Sequence, residues 1–427
     1  MDFSRIFEER KEDVRWNTSY PLSPRDWEKY RVHEPLSFSG EEYLSFYIHI
    51  PFCKQLCSFC EYSKMICPDE SYQNKYLSVL EKDIAEFKSV QNNHFNLKGF
   101  DIGGGTPTSL SDSCFNRLME IYDETVDGLV LSEDFEPSIE ATFNTLNEQK
   151  VRRMVQSNIL RLSLGVQTSD CRVLQTHHRE RNELAKMLST LEYAWASGIT
   201  KINIDLMYGL SWQDENTIKN DLKVIASMNP EQVTLYELRP NQIGFSSVFS
   251  KECLYSQYLL YFKGLTDLGY HGRVGQNTFS KCPSDDGVSS YLRSRMLGAV
   301  SYKGFGLSAQ SMSRAGIAYN YGKHFGLSKK DIEAESYGEE FVYRLPAEEL
   351  CAKYLAIAAY AGRFSISKLS ALLGADAESF YKEQLLFCES EELLAREGDE
   401  VFVTSKGFKY YGAVFSLFHS GTVQNIL

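Results

Sequence analysis

Cys53, Cys57 and Cys60 stand in a CxxxCxxC spacing directly after the apolar run Tyr47-Ile48-His49-Ile50-Pro51-Phe52. Three thiolates can hold three corners of a cubane 4Fe–4S cluster. The fourth iron then has no protein ligand and is open to a small molecule, and the protein's part is to position the cluster and exclude side reactions. Structural zinc is a second reading. It takes four ligands, usually from paired CxxC elements far apart. Only one CxxC is present, so zinc would have to recruit Cys67 or His49. A disulfide is a third reading, in a chain whose first residues carry no secretory signature. The spacing favours the cluster.

Other residues with chemical potential follow at regular intervals. Gly103-Gly104-Gly105-Thr106-Pro107-Thr108 ends an apolar run. Glycines let a backbone approach a ligand closely and expose its N–H and C=O groups. No Gly-Lys-Ser/Thr follows, so this is not a phosphate loop. Glu140 sits in Ile139-Glu140-Ala141-Thr142, where a carboxylate can accept from an ammonium or a ribose hydroxyl. Gln167 ends Arg161-Leu162-Ser163-Leu164-Gly165-Val166-Gln167, and its amide both donates and accepts. Arg179 follows His177-His178; its guanidinium suits bidentate carboxylate binding, and the two histidines read as surface or packing residues. Asp205 interrupts the apolar run Asn203-Ile204-Asp205-Leu206-Met207-Tyr208, where an acid must find a partner or cost stability.

These residues need strands to carry them. The spacing predicts strands over 46–51, 99–103, 137–142, 160–166, 201–208 and 232–237. Helices are predicted between them over 72–87, 111–122, 146–157, 181–197 and 215–228. Six such steps imply parallel strands with right-handed crossover helices, an α/β fold forming a partial (β/α)6 barrel. Functional residues belong at the C-terminal ends of such strands. The motifs fall there, with Arg179 and Asp205 expected on the side of the barrel away from the cysteines. Residues 1–43 read as an N-terminal arm with one short helix near Trp27, and 44–330 as the barrel and its less regular extension from about 238. Residues 340–427 read as a C-terminal winged-helix-like α+β domain, with helices over 346–360, 365–373 and 377–388. A hairpin over 394–404 turns at Glu397-Gly398-Asp399, and a helix over 407–418 closes the chain.

The 427 residues carry a formal net charge of −12, which disfavours nucleic acid as a partner, because phosphate binding wants a basic face. A hydrophobic content of 43% suits a well-packed globule. No run approaches the ~20 apolar residues of a membrane span. Ten cysteines without a paired framework suggest a reducing compartment, hence a cytoplasmic protein. Cys114, Cys171, Cys253, Cys351 and Cys388 read as packing residues.

Tyr-Ile-His-Ile-Pro-Phe-Cys, Gly-Gly-Gly-Thr-Pro-Thr, Gly-Val-Gln and Asp-Leu-Met-Tyr-Gly-Leu occur in this order. Together they resemble the oxygen-independent coproporphyrinogen III dehydrogenase-like family of radical S-adenosylmethionine proteins, which includes haem chaperones and class C methyltransferases. The resemblance covers roughly residues 45–310 and a C-terminal domain of similar kind. It implies a radical S-adenosylmethionine barrel in which Cys53, Cys57 and Cys60 hold the 4Fe–4S cluster. One electron from the cluster would cleave S-adenosylmethionine to a 5′-deoxyadenosyl radical. Tyr47, Gly104 and Glu140 match contacts to the cluster-bound S-adenosylmethionine. Gly105, Thr106, Gln167, Arg179 and Asp205 match contacts to a second one, so one or two are expected. The resemblance further implies oxidation or methyl transfer on an aromatic or tetrapyrrole-like substrate, and a reducing partner such as flavodoxin or ferredoxin. The alternative is a haem chaperone that delivers haem without turnover. The chain departs from the family in several places. Tyr62 stands where the dehydrogenase has a fourth cysteine, and Glu140-Ala141-Thr142-Phe143 and Gly209-Leu210-Ser211 replace family motifs. Gln310 stands where the chaperones have histidine. These changes point to a divergent branch.

Overall fold

The computed structural model describes residues 2–12, 20, 24–91, 95–239, 249–322 and 326–424. Six β/α steps run in order: β1 (Tyr43–Ile50), α1 (Glu70–Gln91), β2 (Asn96–Gly104), α2 (Asp112–Val126), β3 (Ser138–Ala141), α3 (Glu148–Gln156), β4 (Arg161–Gln167), α4 (Leu184–Ser197), β5 (Lys201–Tyr208), α5 (Glu215–Met228), β6 (Gln232–Glu237) and α6 (Lys251–Asp267). The strands lie parallel in chain order. Polar side chains fix where the helices start and stop. Ser111, Asn147 and Asp214 each accept a backbone N–H at an N-terminus, and Gly198 and Asn229 take left-handed conformations at C-termini.

The last three strands alternate with a period of two, which sorts side chains between the two faces of the sheet. Leu162, Leu164, Ile202, Ile204, Val233 and Leu235 are buried among helix residues such as Met154, Leu191, Ile218 and Ile225. Arg161, Ser163, Asn203, Asp205, Gln232 and Thr234 occupy the alternate positions, and the Arg161 Nε donates across the lumen to Gln232 Oε1 at 3.0 Å. The barrel interior is therefore polar, and the main core lies between strands and helices. There Phe46 meets Phe87, Phe100 and Phe305 edge-on at 5.3–5.9 Å.

The sheet extends beyond six strands. At one edge β7 (Thr278–Ser280) pairs antiparallel with β6. At the other, β8 (Ser301–Phe305) adds a seventh parallel strand beside β1, followed by antiparallel β9 (Gln310–Ser313), β10 (Gly316–Asn320), β11 (Glu339–Arg344) and the two-residue strand Arg31–Val32. These strands are short and rich in serine, tyrosine and glycine, which is why the stretch reads as irregular from sequence. β11 belongs to this sheet although the sequence places residue 340 at the start of the C-terminal unit.

The N-terminal segment packs closely. A helix, Phe3–Arg10, sets Phe7 against Phe387 and Tyr410, each at 6.0 Å. Trp27, inside the 3₁₀ turn Pro24–Tyr30, is fully buried and donates through Nε1 to Glu349 Oε2 at 3.2 Å. The C-terminal unit packs helices Ala347–Ala358, Ile366–Leu373 and Lys382–Ser390 with a three-stranded antiparallel sheet, whose hairpin turns at Gly398 in a left-handed conformation. Among the described residues no helix is long and apolar enough to cross a membrane.

Candidate active site

The cysteines sit on a loop that leaves the end of β1. Its neck is a small parallel ladder of Phe52–Cys53 with Met65–Ile66, closed by Met65 N to Pro51 O and Cys67 N to Cys53 O, both 2.8 Å. Its tip is pinned by His177. The Ser58 N–H donates to the His177 carbonyl at 3.2 Å, Ser58 Oγ lies 3.0 Å from Nδ1, and Nε2 accepts the Ser211 N–H at 3.2 Å. Because Nε2 accepts, Nδ1 carries the proton of the neutral ring. Burial holds its pKa below the usual imidazole value. The Glu180 N–H donates to Gln55 Oε1 at 2.8 Å, and Phe59 packs against the cluster of Val173, Met207, Leu210 and Leu238. His177 is thus a structural pin that orients the loop.

Cys53 is buried, and Cys57 and Cys60 are half-buried at the cleft. Burial pushes the Cys53 thiol up to about 12, Cys60 adding to the rise while the Thr106 hydroxyl opposes it. Burial also raises the Cys60 thiol, against the pull of Lys64. Thiols so placed become thiolates on binding a metal centre, which displaces their protons. Cys67 turns elsewhere: its Sγ donates to Ser109 O at 3.4 Å and accepts from Gln73 Nε2 at 3.4 Å, and it does not line the cleft. Cys67→Ser is therefore expected to keep its full iron content after anaerobic reconstitution; a large loss of iron would contradict the three-cysteine set.

The glycine run closes one side. The N–H groups of Gly105 and Thr106 donate to the carbonyls of Ile50 and Phe52 at 2.8 Å, tying the run to the neck of the cysteine loop. Thr106 Oγ1 approaches Cys53 Sγ at 3.9 Å. Gly104 takes φ +111°, and a Cβ there would strike the His49 ring at 2.5 Å. A Cβ on Gly103 would lie 2.6 Å from the Glu140 carboxyl carbon, so the missing side chain is what admits Glu140. Glu140 Oε2 accepts the Gly104 N–H at 3.1 Å.

Strand register sets the remaining residues side by side: Glu140 opposite Ser163, and Gly165 opposite Asp205. The pairing slips between Gly165 and Gln167, and Gln167 has φ +71°. Such a conformation costs a non-glycine residue energy, and in this protein it aims the amide into the cleft. A Cβ on Gly165 would meet Gln167 Nε2 at 2.9 Å and Arg179 Nη2 at 3.0 Å. Arg179 donates to the Gly165 carbonyl, and its Nη1 lies 3.6 Å from Cys57 Sγ. It therefore lies beside the cysteine loop, not on the far side of the barrel as its sequence position suggests. The turn after the short helix Cys171–Thr176 folds back over the loop and carries Arg179 with it.

Three carboxyls share this interior with one buried guanidinium, Arg161. Burial pushes Glu140 up to about 8, with Asp205 adding to the rise. Burial likewise raises Asp205 to about 6, opposed by Asn203 and Arg161, and Asp101 to about 7, opposed by Arg161 and Ser289. Glu140 and Asp205 touch solvent within the cleft, but their charged forms are poorly hydrated there. In the unfolded chain such carboxyls ionise near pH 4. Between that value and about pH 8 the folded, ligand-free chain binds more protons than the unfolded one, so its stability falls as pH rises. The urea midpoint is expected to drop from about pH 5 to about pH 8, and Glu140→Gln to flatten the drop; a flat wild-type profile would contradict this assignment.

The structure brings Cys53, Cys57, Cys60, Gly104, Gly105, Thr106, Glu140, Gln167, Arg179 and Asp205 around one cleft. Tyr47 does not line it; its ring stacks on Tyr291 at 5.6 Å, with its phenol pushed upward by burial and then by Glu140. Among the lining residues that sequence reasoning missed are Lys64, Tyr236, Arg239 and Tyr360. Tyr62, noted only as a lost cysteine, is 61% exposed within it. Arg239 donates to the Tyr360 hydroxyl, bringing the C-terminal unit to the cleft.

Residues 47–220 match the family model described as the radical SAM superfamily. The haem chaperone HemW of Buchnera aphidicola is 32% identical over 205 residues, 48% of this chain and 53% of that protein. Oxygen-independent coproporphyrinogen III oxidase of Escherichia coli is 30% identical over 222 residues, 51% of this chain and 48% of that protein. The chain thus spans about half the length of these curated relatives. HemW of Lactococcus lactis aligns at 26% identity over 88% of this chain and 97% of that protein. The solved structure of coproporphyrinogen III oxidase (HemN) from Escherichia coli shares the fold, with a TM-score of 0.72 at 23% identity over 89% of this chain and 91% of that one. The family match makes residues 47–220 a radical S-adenosylmethionine domain, of a class that uses a 4Fe–4S cluster and S-adenosylmethionine. Within that class the chain is similar to coproporphyrinogen III oxidase-like proteins, among them an oxidase and haem chaperones.

The residues present suit that cofactor pair. Cys53, Cys57 and Cys60 all line the one cleft, beside Gly104, Gly105 and Glu140. Three thiols with no fourth cysteine among the described lining residues suit three corners of a cubane and fall one ligand short of a closed zinc site.

Proposed function

We propose that the chain is a radical S-adenosylmethionine enzyme acting on an aromatic or tetrapyrrole-like substrate in the cytoplasm, fed by a reducing partner such as flavodoxin or ferredoxin. The observation that carries this reading is that the triad, the glycine run and the later-strand residues all face one cleft. When bound, the cluster supplies the electron that cleaves S-adenosylmethionine reductively. Cys53, Cys57 and Cys60 would hold the cluster. Gly104 and Glu140, with Tyr47 behind them, would orient the S-adenosylmethionine on it. Gly105, Thr106, Gln167, Arg179 and Asp205 would hold a second one, Arg179 reaching for its carboxylate and Asp205 for a ribose or ammonium donor.

The substrate side of the cleft supports a flat, conjugated ligand. Tyr236, Arg239 and Tyr360 come from outside residues 47–220 and, with Tyr62, offer aromatic faces, phenol donors and one guanidinium. The names of the HemW relatives favour haem delivery as a second reading. Against it, Gln310 stands where the chaperones have histidine, and its Oε1 already accepts from the Tyr302 hydroxyl at 2.7 Å and from Arg295 Nη2 at 3.3 Å. The test is an anaerobic product screen on porphyrinogens and simple aromatic acids, counting 5′-deoxyadenosine and S-adenosylhomocysteine. Substrate-dependent 5′-deoxyadenosine supports the enzyme, S-adenosylhomocysteine beside it marks methyl transfer, and a haem complex with no substrate-dependent cleavage overturns the proposal.

A further inference from the structure

Four cations line the cleft: Lys54, whose Nζ donates to the Asn144 carbonyl, Arg239, which pairs with Glu61, and Lys64 and Arg179, which reach the cysteines' own loop. Lys64 lies four residues past Cys60, and its side chain folds back so that Nζ donates to the Cys60 carbonyl at 2.5 Å. It lines the cleft that Cys53, Cys57 and Cys60 also line, and its charge acts on the Cys60 thiol. On the other side, Arg179 Nη1 stands 3.6 Å from Cys57 Sγ. Their surroundings are acidic. Glu61, Glu180, Asp205 and Glu237 line the same cleft, and the whole chain carries −12.

A cluster on three thiolates becomes one unit more negative with each electron it accepts. In an acidic, poorly hydrated cleft that added charge is opposed by like charges nearby, and the opposition is stronger than in water. The reduction potential of an iron–sulfur cluster follows the net charge around it and the hydrogen bonds to its sulfurs. Lys64 belongs to neither set of cosubstrate residues. Its tether is a backbone carbonyl of the loop rather than a carboxylate, so its positive charge remains available to the thiolates.

We propose that Lys64 is a positioning residue for the reaction, whose tethered ammonium offsets the charge of the triad thiolates and raises the cluster's reduction potential. This rests on the cluster reading above. The electron comes from an external low-potential one-electron donor; Lys64 neither gains nor loses a bond in the transfer, and acts through the field it places on the sulfurs. Its carbonyl tether also orders the return of the loop from Cys60 towards Met65. A purely structural role is therefore the competing explanation, and charge-conserving replacement separates the two.

The experiment is an equilibrium redox titration of the anaerobically reconstituted full chain without S-adenosylmethionine, reading the reduced cluster by electron paramagnetic resonance. Wild type, Lys64→Met, Lys64→Gln and Lys64→Arg are compared. At the wild-type midpoint, the two uncharged variants should show a ratio of reduced to oxidised cluster about tenfold lower, equivalent to a midpoint about 59 mV more negative for one electron. Lys64→Arg should return close to wild type, and iron content should be the same in all four. An unchanged midpoint in Lys64→Met and Lys64→Gln would overturn the proposal. So would an equal shift in Lys64→Arg, or loss of iron in both uncharged variants, since each marks a structural role. If wild type itself forms no reducible cluster, the cluster reading fails instead.

Discussion

Cys57→Ala should yield a folded chain that holds no reducible cluster and cleaves no S-adenosylmethionine. The loop that carries Cys57 is held by backbone and imidazole contacts, Ser58 to His177 and Met65 to Pro51, and none of these uses the Cys57 thiol. The thermal midpoint of the ligand-free variant should stay near that of wild type. Iron and sulfide after anaerobic reconstitution should fall from about four irons per chain to a small residue, because two thiols cannot hold a cubane that needs three. The loss of cosubstrate cleavage should be complete within detection. Stoichiometric zinc in anaerobically purified wild type, with no iron–sulfur absorbance on reconstitution, would contradict the assignment of the triad.

Arg179→Ala and Glu140→Ala should fail at different steps. Removing the guanidinium deletes a charge-assisted contact to a ligand carboxylate, worth roughly 1.5–3 kcal/mol. Binding at one S-adenosylmethionine site should weaken ~10- to 100-fold. With dithionite in excess and no substrate, cleavage at the cluster should largely survive, while product formation collapses. Glu140 is different because its carboxylate lies over Gly103 and accepts the Gly104 N–H, within the glycine run tied to the cysteine loop. Glu140→Ala should therefore damage cleavage itself. Equal loss of cleavage in both variants, or saturation at one S-adenosylmethionine per chain, would remove the second site from the account.

Much of this architecture is legible in the sequence because its signals are local. β5 and β6 occupy the predicted residues 201–208 and 232–237, since polar residues at every second position mark the lumen face and Ile, Leu and Val mark the helix face. The cysteine spacing and the glycine run carry their chemistry in single short segments. β8 escaped because Ser-Tyr-Lys-Gly-Phe shows no alternation, and its place beside β1 depends on a partner some 250 residues away. Arg179 was misplaced for a related reason. Its strand number suggests the far side of the barrel, but His177 pulls its turn over the cysteine loop. Tyr236, Arg239 and Tyr360 have no motif at all; only the closure of the C-terminal unit against the rim gathers them.

The central claim, that this cleft turns over a substrate rather than carrying haem, is tested most directly by one ratio. Reconstituted protein is incubated anaerobically with S-adenosylmethionine, a low-potential reductant and coproporphyrinogen III or another porphyrinogen, and 5′-deoxyadenosine is counted against modified substrate. The account predicts that substrate raises 5′-deoxyadenosine formation and that the two products accumulate in a fixed, small-integer proportion. Unchanged 5′-deoxyadenosine across the porphyrinogens, together with tight stoichiometric haem binding, would contradict it.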